Sequence, residues 1–308
     1  MKTTTFFNVL GSGSALPLSF RFNASYVVQF GEKYYMIDCG EGAQVRAREM
    51  GIKAQRINNI FISHLHGDHC FGLVPFISTM AMLGRHAPLT IHAHPAFEPQ
   101  LRSQLHFFAG ELPFDLFYNP IDPNQNKVIF EDRTLTVTSI PLRHSIPTCG
   151  FLFEEKPRGR HFRNEMRIHY DIPLAAIPDI KNGMDFITSD GRTIPNEELT
   201  TPPDPVKRFA YCSDTQPLQQ VVEQVRGVDL LFHEATYAEE LANRARAVLH
   251  STTGQAARIA ADAKVGQLII GHFSSQYRSA EDYNRLLQEA QQIFPNTILA
   301  TDKSVIPF

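Results

Sequence analysis

Short apolar, β-prone runs recur along this chain, first as hairpins and later in alternation with stretches of helical period. The run at residues 6–10 reads as a strand. Gly11-Ser12-Gly13-Ser14 follows it, and tight-turn chemistry explains this tetrad better than phosphate binding does. Residues 26–30 and 34–37 flank Gly31-Glu32-Lys33 and predict a hairpin. The second arm runs into Asp38-Cys39-Gly40-Glu41-Gly42, with a helix from about Ala43. Next come a strand over 60–63, a helix over about 71–83, a strand over 89–93 and a helix after Pro95. Residues 134–141 alternate Leu, Val and Ile with Thr and Ser, which predicts a strand ending near His144.

Regular pattern resumes after residue 205. Strands are expected at 208–212, 230–232, 268–270 and 297–300, the last of which finishes the chain. Helices are expected over about 218–226, 238–248, 254–263 and 280–293, with Ser251 and Thr252 as N-cap candidates for the third. Strands that begin as hairpins and then alternate with helices predict an α/β layered fold with mixed sheets. Sites in such folds gather beyond the carboxyl ends of strands.

Residues 154–205 break the pattern. They are rich in Pro, Gly and charge, and Lys156-Pro157-Arg158-Gly159-Arg160-His161-Phe162-Arg163 is the most basic patch of the chain. A structureless loop of this length is improbable inside a compact domain, so the segment reads as an arm or subdomain inserted into one domain spanning residues 1–308. Hydrophobic content of 43% supports a packed core. A net charge of −3 excludes the global basic footprint of a nucleic-acid binder, DNA-binding proteins included, so any polyanion site is local. There is no apolar run of membrane-spanning length. The start, Met1-Lys2-Thr3-Thr4-Thr5-Phe6, lacks the apolar core of a signal peptide. Cys39, Cys70, Cys149 and Cys212 form no Cys-x-x-Cys pair and read as reduced thiols of a cytoplasmic protein.

Candidate chemistry sits at the ends of the apolar runs. Ser63-His64-Leu65-His66-Gly67-Asp68-His69 packs three imidazoles and a carboxylate into six residues, which packing does not explain. If the strand continues past Ile62, His64 and His66 share a face; Gly67 then turns the chain, and Asp68 and His69 start the next helix. Adding the strand-end residues His144, Asp214 and His272 gives a set suited to two metal ions sharing one carboxylate. The partition places His64, His66 and His144 on one ion and Asp68, His69 and His272 on the other, with Asp214 bridging. An imidazole-rich set favours Zn²⁺, with Mn²⁺ or Fe²⁺ as substitutes. His92 and His94 have ligand spacing, but nothing else converges on them. They read as structural, like His233, and Cys70 and Cys212 read as packing. Asp38 reads as a hydrogen-bond partner of a ligand histidine or of the backbone.

His64-x-His66-x-Asp68-His69 resembles the signature of the metallo-β-lactamase superfamily. Asp38-Cys39-Gly40-Glu41-Gly42, Ser213-Asp214-Thr215, His233-Glu234-Ala235-Thr236, His250-Ser251-Thr252 and Gly271-His272-Phe273-Ser274 resemble its ribonuclease Z branch more narrowly. The resemblance implies a four-layer αβ/βα sandwich of two mixed sheets with a dizinc site (two Zn²⁺ per subunit) at its edge. It implies hydrolysis of a phosphodiester in precursor tRNA, leaving a tRNA 3′-hydroxyl, and a homodimer. By motif, Asp68 is both ligand and proton acceptor, and His250, oriented by Glu234, contacts the scissile phosphate or protonates the leaving oxygen. His250 also precedes an expected helix N-terminus, whose backbone donors favour a phosphate. The arm implies tRNA contact through Lys156, Arg158, Arg160, Arg163 and Arg167, although it lacks the family's Gly-Pro pair. The loop Pro17-Leu18-Ser19-Phe20-Arg21-Phe22-Asn23 is one residue longer than its usual family counterpart. The rival readings are a small-molecule phosphodiesterase or an ester, lactone or thioester hydrolase of the same superfamily, and a noncatalytic RNA-binding relative.

Overall fold

The computed structural model describes residues 5–308; the first four residues of the N-terminal segment read above lie outside the described residues. The chain divides into two compact units. The larger runs to Glu131 and continues through Thr136–Glu154 and Lys207–Phe308; the smaller comprises Asp132–Leu135 and Glu155–Val206.

Among the described residues, the larger unit holds two seven-stranded sheets. In spatial order the first is Val305–Pro307, Thr5–Gly11, Ser25–Phe30, Lys33–Cys39, Ile57–Phe61, Leu89–Ala93 and Leu116–Pro120. It is antiparallel at its start, where Phe7 opposes Ile306 and Val28, and parallel from Lys33–Cys39 onward, where Met36 opposes Ile60. The second runs Thr297–Leu299, Gln267–Gly271, Leu230–Glu234, Arg208–Cys212, Cys149–Glu155, Leu135–Pro141 and Val128–Glu131. Its first four strands are parallel, and Arg208–Cys212 meets Cys149–Glu155 antiparallel.

The strand period sorts side chains into layers. Tyr26 points into an aromatic layer between the sheets, 4.8 Å from Phe232 between ring centroids, while its neighbour Val27 packs with Met36, Ile60, Phe76 and Ile77 under the helices Ala43–Glu49 and Leu73–Met82. Phe7 meets Phe209 at 5.0 Å, and Phe61 meets Phe151 at 5.5 Å. On the outer face of the second sheet, Leu231, Leu268 and Ile270 pack with Ala256, Ala260 and Leu286 of the helices Thr253–Ala263 and Ala280–Gln291. The expected αβ/βα four-layer sandwich of mixed sheets is therefore present. Each fully buried phenyl contributes roughly 1.5–3 kcal/mol to it.

Several elements differ from expectation. The strand preceding the histidine cluster stops at Phe61, and the helix at Gly67 is not the one expected over about 71–83. Gly67 opens a separate one-turn helix, Gly67–Cys70, that carries Asp68 and His69 ahead of Leu73–Met82. The helix expected at 238–248 is a 3₁₀ turn, Glu239–Leu241, then Ala242–Ala247; it ends before Leu249, whose φ is +58°. The chain finishes with Val305–Pro307 rather than near residue 300, a three-residue strand with a proline on a sheet edge. Cys149–Glu155 was hidden because nearly every residue in it is buried, so no alternation marks it.

The smaller unit has its own core of Ile172, Ile180, Ile194 and Leu199, with Phe162, Met166 and Tyr170 packed against it. Asn196 anchors it by donating to the carbonyls of Ile180 (2.6 Å) and Met184 (2.8 Å). The segment read as an arm is thus a folded unit of short helices and two-residue strand pairs.

Asp302 ties the first sheet to the turn that follows its first strand. Its carboxylate accepts from Ser12 N (3.0 Å), Ser12 Oγ (2.8 Å) and Phe22 N (2.8 Å), and pairs with Arg46 at 3.1 Å. The Ser12 carbonyl in turn accepts from His272 N at 3.0 Å. The Arg46 and Asp302 side chains are 7% and 8% exposed, so removing Asp302 leaves the Ser12 and Phe22 amides unpaired and Arg46 with only the more exposed Glu49, 2.9 Å away. Asp302→Ala is expected to lower unfolding free energy by about 3 kcal/mol, read by urea denaturation. A change within about 0.5 kcal/mol contradicts this account.

Candidate metal centre and active site

Strand ends of both sheets bring seven side chains together. His64 and His66 follow Ile57–Phe61, Asp68 and His69 lie on Gly67–Cys70, His144 follows Leu135–Pro141, Asp214 follows Arg208–Cys212, and His272 follows Gln267–Gly271. They form two groups. In the first, His64 Nε2 lies 3.1 Å from His66 Nδ1, and His144 Nε2 lies 3.3 Å from the same atom. Asp214 Oδ2 faces this group, 3.6 Å from His64 Nε2 and 3.7 Å from His144 Nε2. In the second, His69 Nε2 and His272 Nε2 are 3.2 Å apart, with Asp68 Oδ2 at 3.6 and 3.4 Å. Asp214 Oδ1 faces this second group, at 3.5 and 3.3 Å from the two nitrogens. The Asp214 carboxylate therefore faces both groups.

The outward ring nitrogens fix the tautomers. His69 Nδ1 donates to Asp38 at 2.7 Å, His144 Nδ1 to the Leu249 carbonyl at 3.1 Å, and His272 Nδ1 to Thr236 Oγ1 at 3.1 Å. The inner Nε2 atoms are left as acceptors facing other acceptors. Asp214 Oδ1 is buried without a hydrogen-bond partner. Acceptors that converge in this way repel one another unless a cation stands between them, so the donor set fits metal ions. Burial pushes His64, His66 and His144 below their ordinary pKa, and the neutral imidazole is the form that ligates.

A second layer holds this arrangement. Asp38, fully buried and at φ +53°, accepts from Ser63 N (2.7 Å), Ser63 Oγ (2.9 Å), Tyr211 Oη (2.7 Å) and His69. Gly40 and Gly72 allow the close approach of the short helix to Lys33–Cys39. A Cβ on Gly72 would lie 1.9 Å from the Gly40 carbonyl, and one on Gly40 would lie 2.4 Å from the Asp68 carbonyl. The Ala15 amide donates to Asp68 Oδ2 at 2.7 Å.

Beside the two groups stands His250. Its Nδ1 donates to Glu234 Oε1 at 2.9 Å, and the ring centroids of His144 and His250 are 4.8 Å apart. Glu234 is fully buried and also accepts from the Thr215, Thr236 and Ser251 amides and from Thr236 Oγ1. Burial opposes a charged His250, but the Glu234 carboxylate outweighs it and lifts the imidazole to about 9. Beyond His250, where a phosphate was expected at the helix N-terminus, four amides already have acceptors. The Ser251, Thr252, Thr253 and Gln255 amides are taken by Glu234, Gln255 Oε1, the Tyr237 carbonyl and Thr252 Oγ1 respectively. A cavity of about 830 Å³ opens over the site, lined among others by Asp68, Phe71, His144, Asp214, Tyr237, His250 and His272.

The chain has relatives along nearly its whole length. The ribonuclease Z of Phocaeicola vulgatus is 52% identical over 96% of this chain and 94% of its own, and that of Bacteroides fragilis strain YCH46 is 50% identical over 97% of each. The chain belongs to the ribonuclease Z family. The ribonuclease Z of Porphyromonas gingivalis strain W83 is 46% identical over 96% of each chain. Residues 5–162 match the family model described as anti-Pycsar protein Apyc1, and residues 199–273 match the beta-lactamase superfamily domain. The fold is that of human short-form tRNase Z (TM-score 0.71, 22% identity, 98% of each chain). It is also that of the Bacillus subtilis metallo-beta-lactamase fold protein YhfI (TM-score 0.69, 17% identity, the whole of each chain).

Other residues of this ribonuclease Z family member stand apart from the cluster. His92 is buried, stacked on Phe61, bonded to Asn59 and Asn119, and pushed down to about 3 by burial. His94 caps the turn Pro95–Phe97 by accepting from the Ala96 amide. His233 is buried on Leu230–Glu234, Asn23 donates to the Ala15 carbonyl, and the Arg21 guanidinium lies 4.1 Å from the Tyr283 ring. All four cysteines are free and buried. In the smaller unit Arg158 pairs with Glu155 at 2.9 Å, and Arg160 donates to Thr200. Arg163 precedes the helix Asn164–His169, which carries Arg167; Lys156 lies before these on the same segment. No described helix is long and apolar enough to cross a membrane.

Sequence reasoning overlooked Ser63, Thr236 and Leu249. Each lies one or two residues from a residue it did single out, but their roles come from side-chain and carbonyl directions that spacing does not encode. Asp38→Ala is expected to weaken metal retention about 10- to 100-fold, read by competition with a chromophoric chelator. Retention equal to that of the unaltered protein would show that His69 needs no orienting carboxylate.

Proposed function

We propose that this ribonuclease Z family member is a zinc-dependent endoribonuclease that removes the 3′ trailer from precursor tRNA. The observation that carries the reading is the Glu234–His250 pair standing beside a double donor group bridged by Asp214. Zn–N bonds of about 2.0–2.1 Å put tetrahedral donors roughly 3.3–3.4 Å apart. The donor separations here, 3.1 to 3.7 Å, agree with two such ions per subunit. His64, His66 and His144 would hold one ion, Asp68, His69 and His272 the other, and Asp214 both.

When bound, the ions supply Lewis acidity toward the phosphate and lower the pKa of water. The chain's own residues do the rest. Asp68 accepts the proton of the water that attacks phosphorus, its carboxylate held by the Ala15 amide. The P–O3′ bond then breaks. His250, kept protonated by Glu234, gives its proton to O3′, so the tRNA keeps a 3′-hydroxyl and the trailer leaves with the phosphate. In this reading Lys156, Arg158, Arg160, Arg163 and Arg167 of the smaller unit contact the tRNA away from the scissile bond.

Metal-replete protein incubated with a 3′-extended precursor tRNA is expected to release the trailer, read by sequencing both products. Asp68→Ala should keep tRNA binding and lose turnover, and His250→Ala should lower kcat about 10²- to 10⁴-fold. An uncut precursor beside ready hydrolysis of bis(p-nitrophenyl) phosphate would instead favour a small-molecule phosphodiesterase.

A further inference from the structure

Two kinds of exposed side chain stand around the cavity and take no part in the donor groups. Phe71 lines the cavity and leaves 68% of its surface exposed. It follows Gly67–Cys70, three residues after Asp68, and its ring lies where a Cβ on Gly67 would be, 2.3 Å from its Cε2. The ring is thus seated against the chain on one side and bare on the other. Its open side thus offers an aromatic face to the cavity beside the polar donor groups.

The loops from the second sheet contribute cations. Arg244 lies with its guanidinium 5.6 Å from the Tyr237 ring, and Tyr237 lines the cavity. It sits three and four residues before Ala247 and Val248, also lining residues, so all three share the i, i+3, i+4 spacing of one helix face. Arg278 Nε donates to the Ser275 carbonyl at 3.1 Å, and Ser275 lines the cavity. Both arginines are exposed, and among the described residues neither has a carboxylate within ion-pair distance. Glu41, an exposed carboxylate of the lining, comes from the first sheet's side, two residues after Cys39. A net charge of −3 makes this local pairing of cations more informative than it would be on a basic protein.

We propose that these residues clamp the single strand that threads the site, with Phe71 stacking on a base next to the scissile bond and Arg244 and Arg278 holding the phosphates that flank it. The clamp rests on the precursor-tRNA reading and gives it a substrate requirement: an unpaired strand with a base in place beside the cleaved phosphate. A bare aromatic ring and unpaired arginines are what single-strand recognition uses, since every base offers a face for stacking and every linkage a charge.

The test compares Phe71→Leu and Phe71→Tyr on a normal precursor and on precursors carrying an abasic nucleotide on either side of the cleavage site. Phe71→Leu is expected to lower kcat/KM roughly tenfold or more on the normal precursor, Phe71→Tyr to keep most of it, and one abasic precursor to be insensitive to the substitution. Arg244→Gln and Arg278→Gln should each flatten the dependence of log kcat/KM on log salt by about 0.7. Equal losses on base-bearing and abasic precursors, unchanged salt slopes, or a change of oligomeric state with Phe71→Leu would overturn the clamp. Failure of the unaltered protein to cut the normal precursor would instead overturn the reading on which it rests.

Discussion

The arrangement on which the site depends is a convergence of acceptors. Five imidazoles and two carboxylates are turned so that their acceptors meet, while His69, His144 and His272 donate outward to Asp38, Leu249 and Thr236. In a metal-free interior this is unfavourable, and Asp214 Oδ1 shows it most plainly, being buried and unsatisfied. The rest of the larger unit reads as what holds that convergence in place. Two sheets supply strand ends at one rim, an aromatic layer fixes one sheet against the other, and the loops between strand and helix carry the donors.

Holding the donors there requires backbone that an L-residue resists. Asp38, Leu249 and His272 all have φ between +53° and +59°, a conformation that costs roughly 1–3 kcal/mol for a residue other than glycine. Each has a task in that geometry. Asp38 collects four donors, Leu249 aims its carbonyl at His144, and His272 points its ring between Thr236 and Asp68. The glycines at 40 and 72 solve the complementary problem of bringing two backbones closer than a Cβ permits. The tight local geometry is balanced by the packed sheets behind it, so site and core are one energetic system.

Much of this was legible in the sequence, and the reason is chemical. His64-x-His66-x-Asp68-His69, His144, Asp214 and His272 are residue types that apolar strands rarely end in without cause. Strands with one polar face, such as Leu135–Pro141, were legible by alternation. Cys149–Glu155 was not, because burial on both faces erases the period, and Val305–Pro307 was not, because three residues carry no period at all. The local path through the cluster was misread for a different reason. His64 and His66 do converge, but through an irregular segment after Phe61, where no repeat governs direction. Nor does spacing reveal that amides beyond His250 are already committed, the Ser251 amide to Glu234 of Leu230–Glu234 and the Thr253 amide to the Tyr237 carbonyl.

That commitment of the amides bears on how the site handles charge. The Ser251, Thr252, Thr253 and Gln255 amides beside His250 are already bonded, so the imidazole itself is the cation there, and it is Glu234 that keeps it charged. Glu234 is fully buried and engaged by five donors. Three of those donors are backbone amides, which cannot move without moving the strand ends that carry Asp214 and His272. The pair that distinguishes this centre from a bare metal site is therefore built into the same backbone as the ligands. This is why a cluster legible as generic metal chemistry acquires its direction from residues some 165 to 190 positions further along the chain.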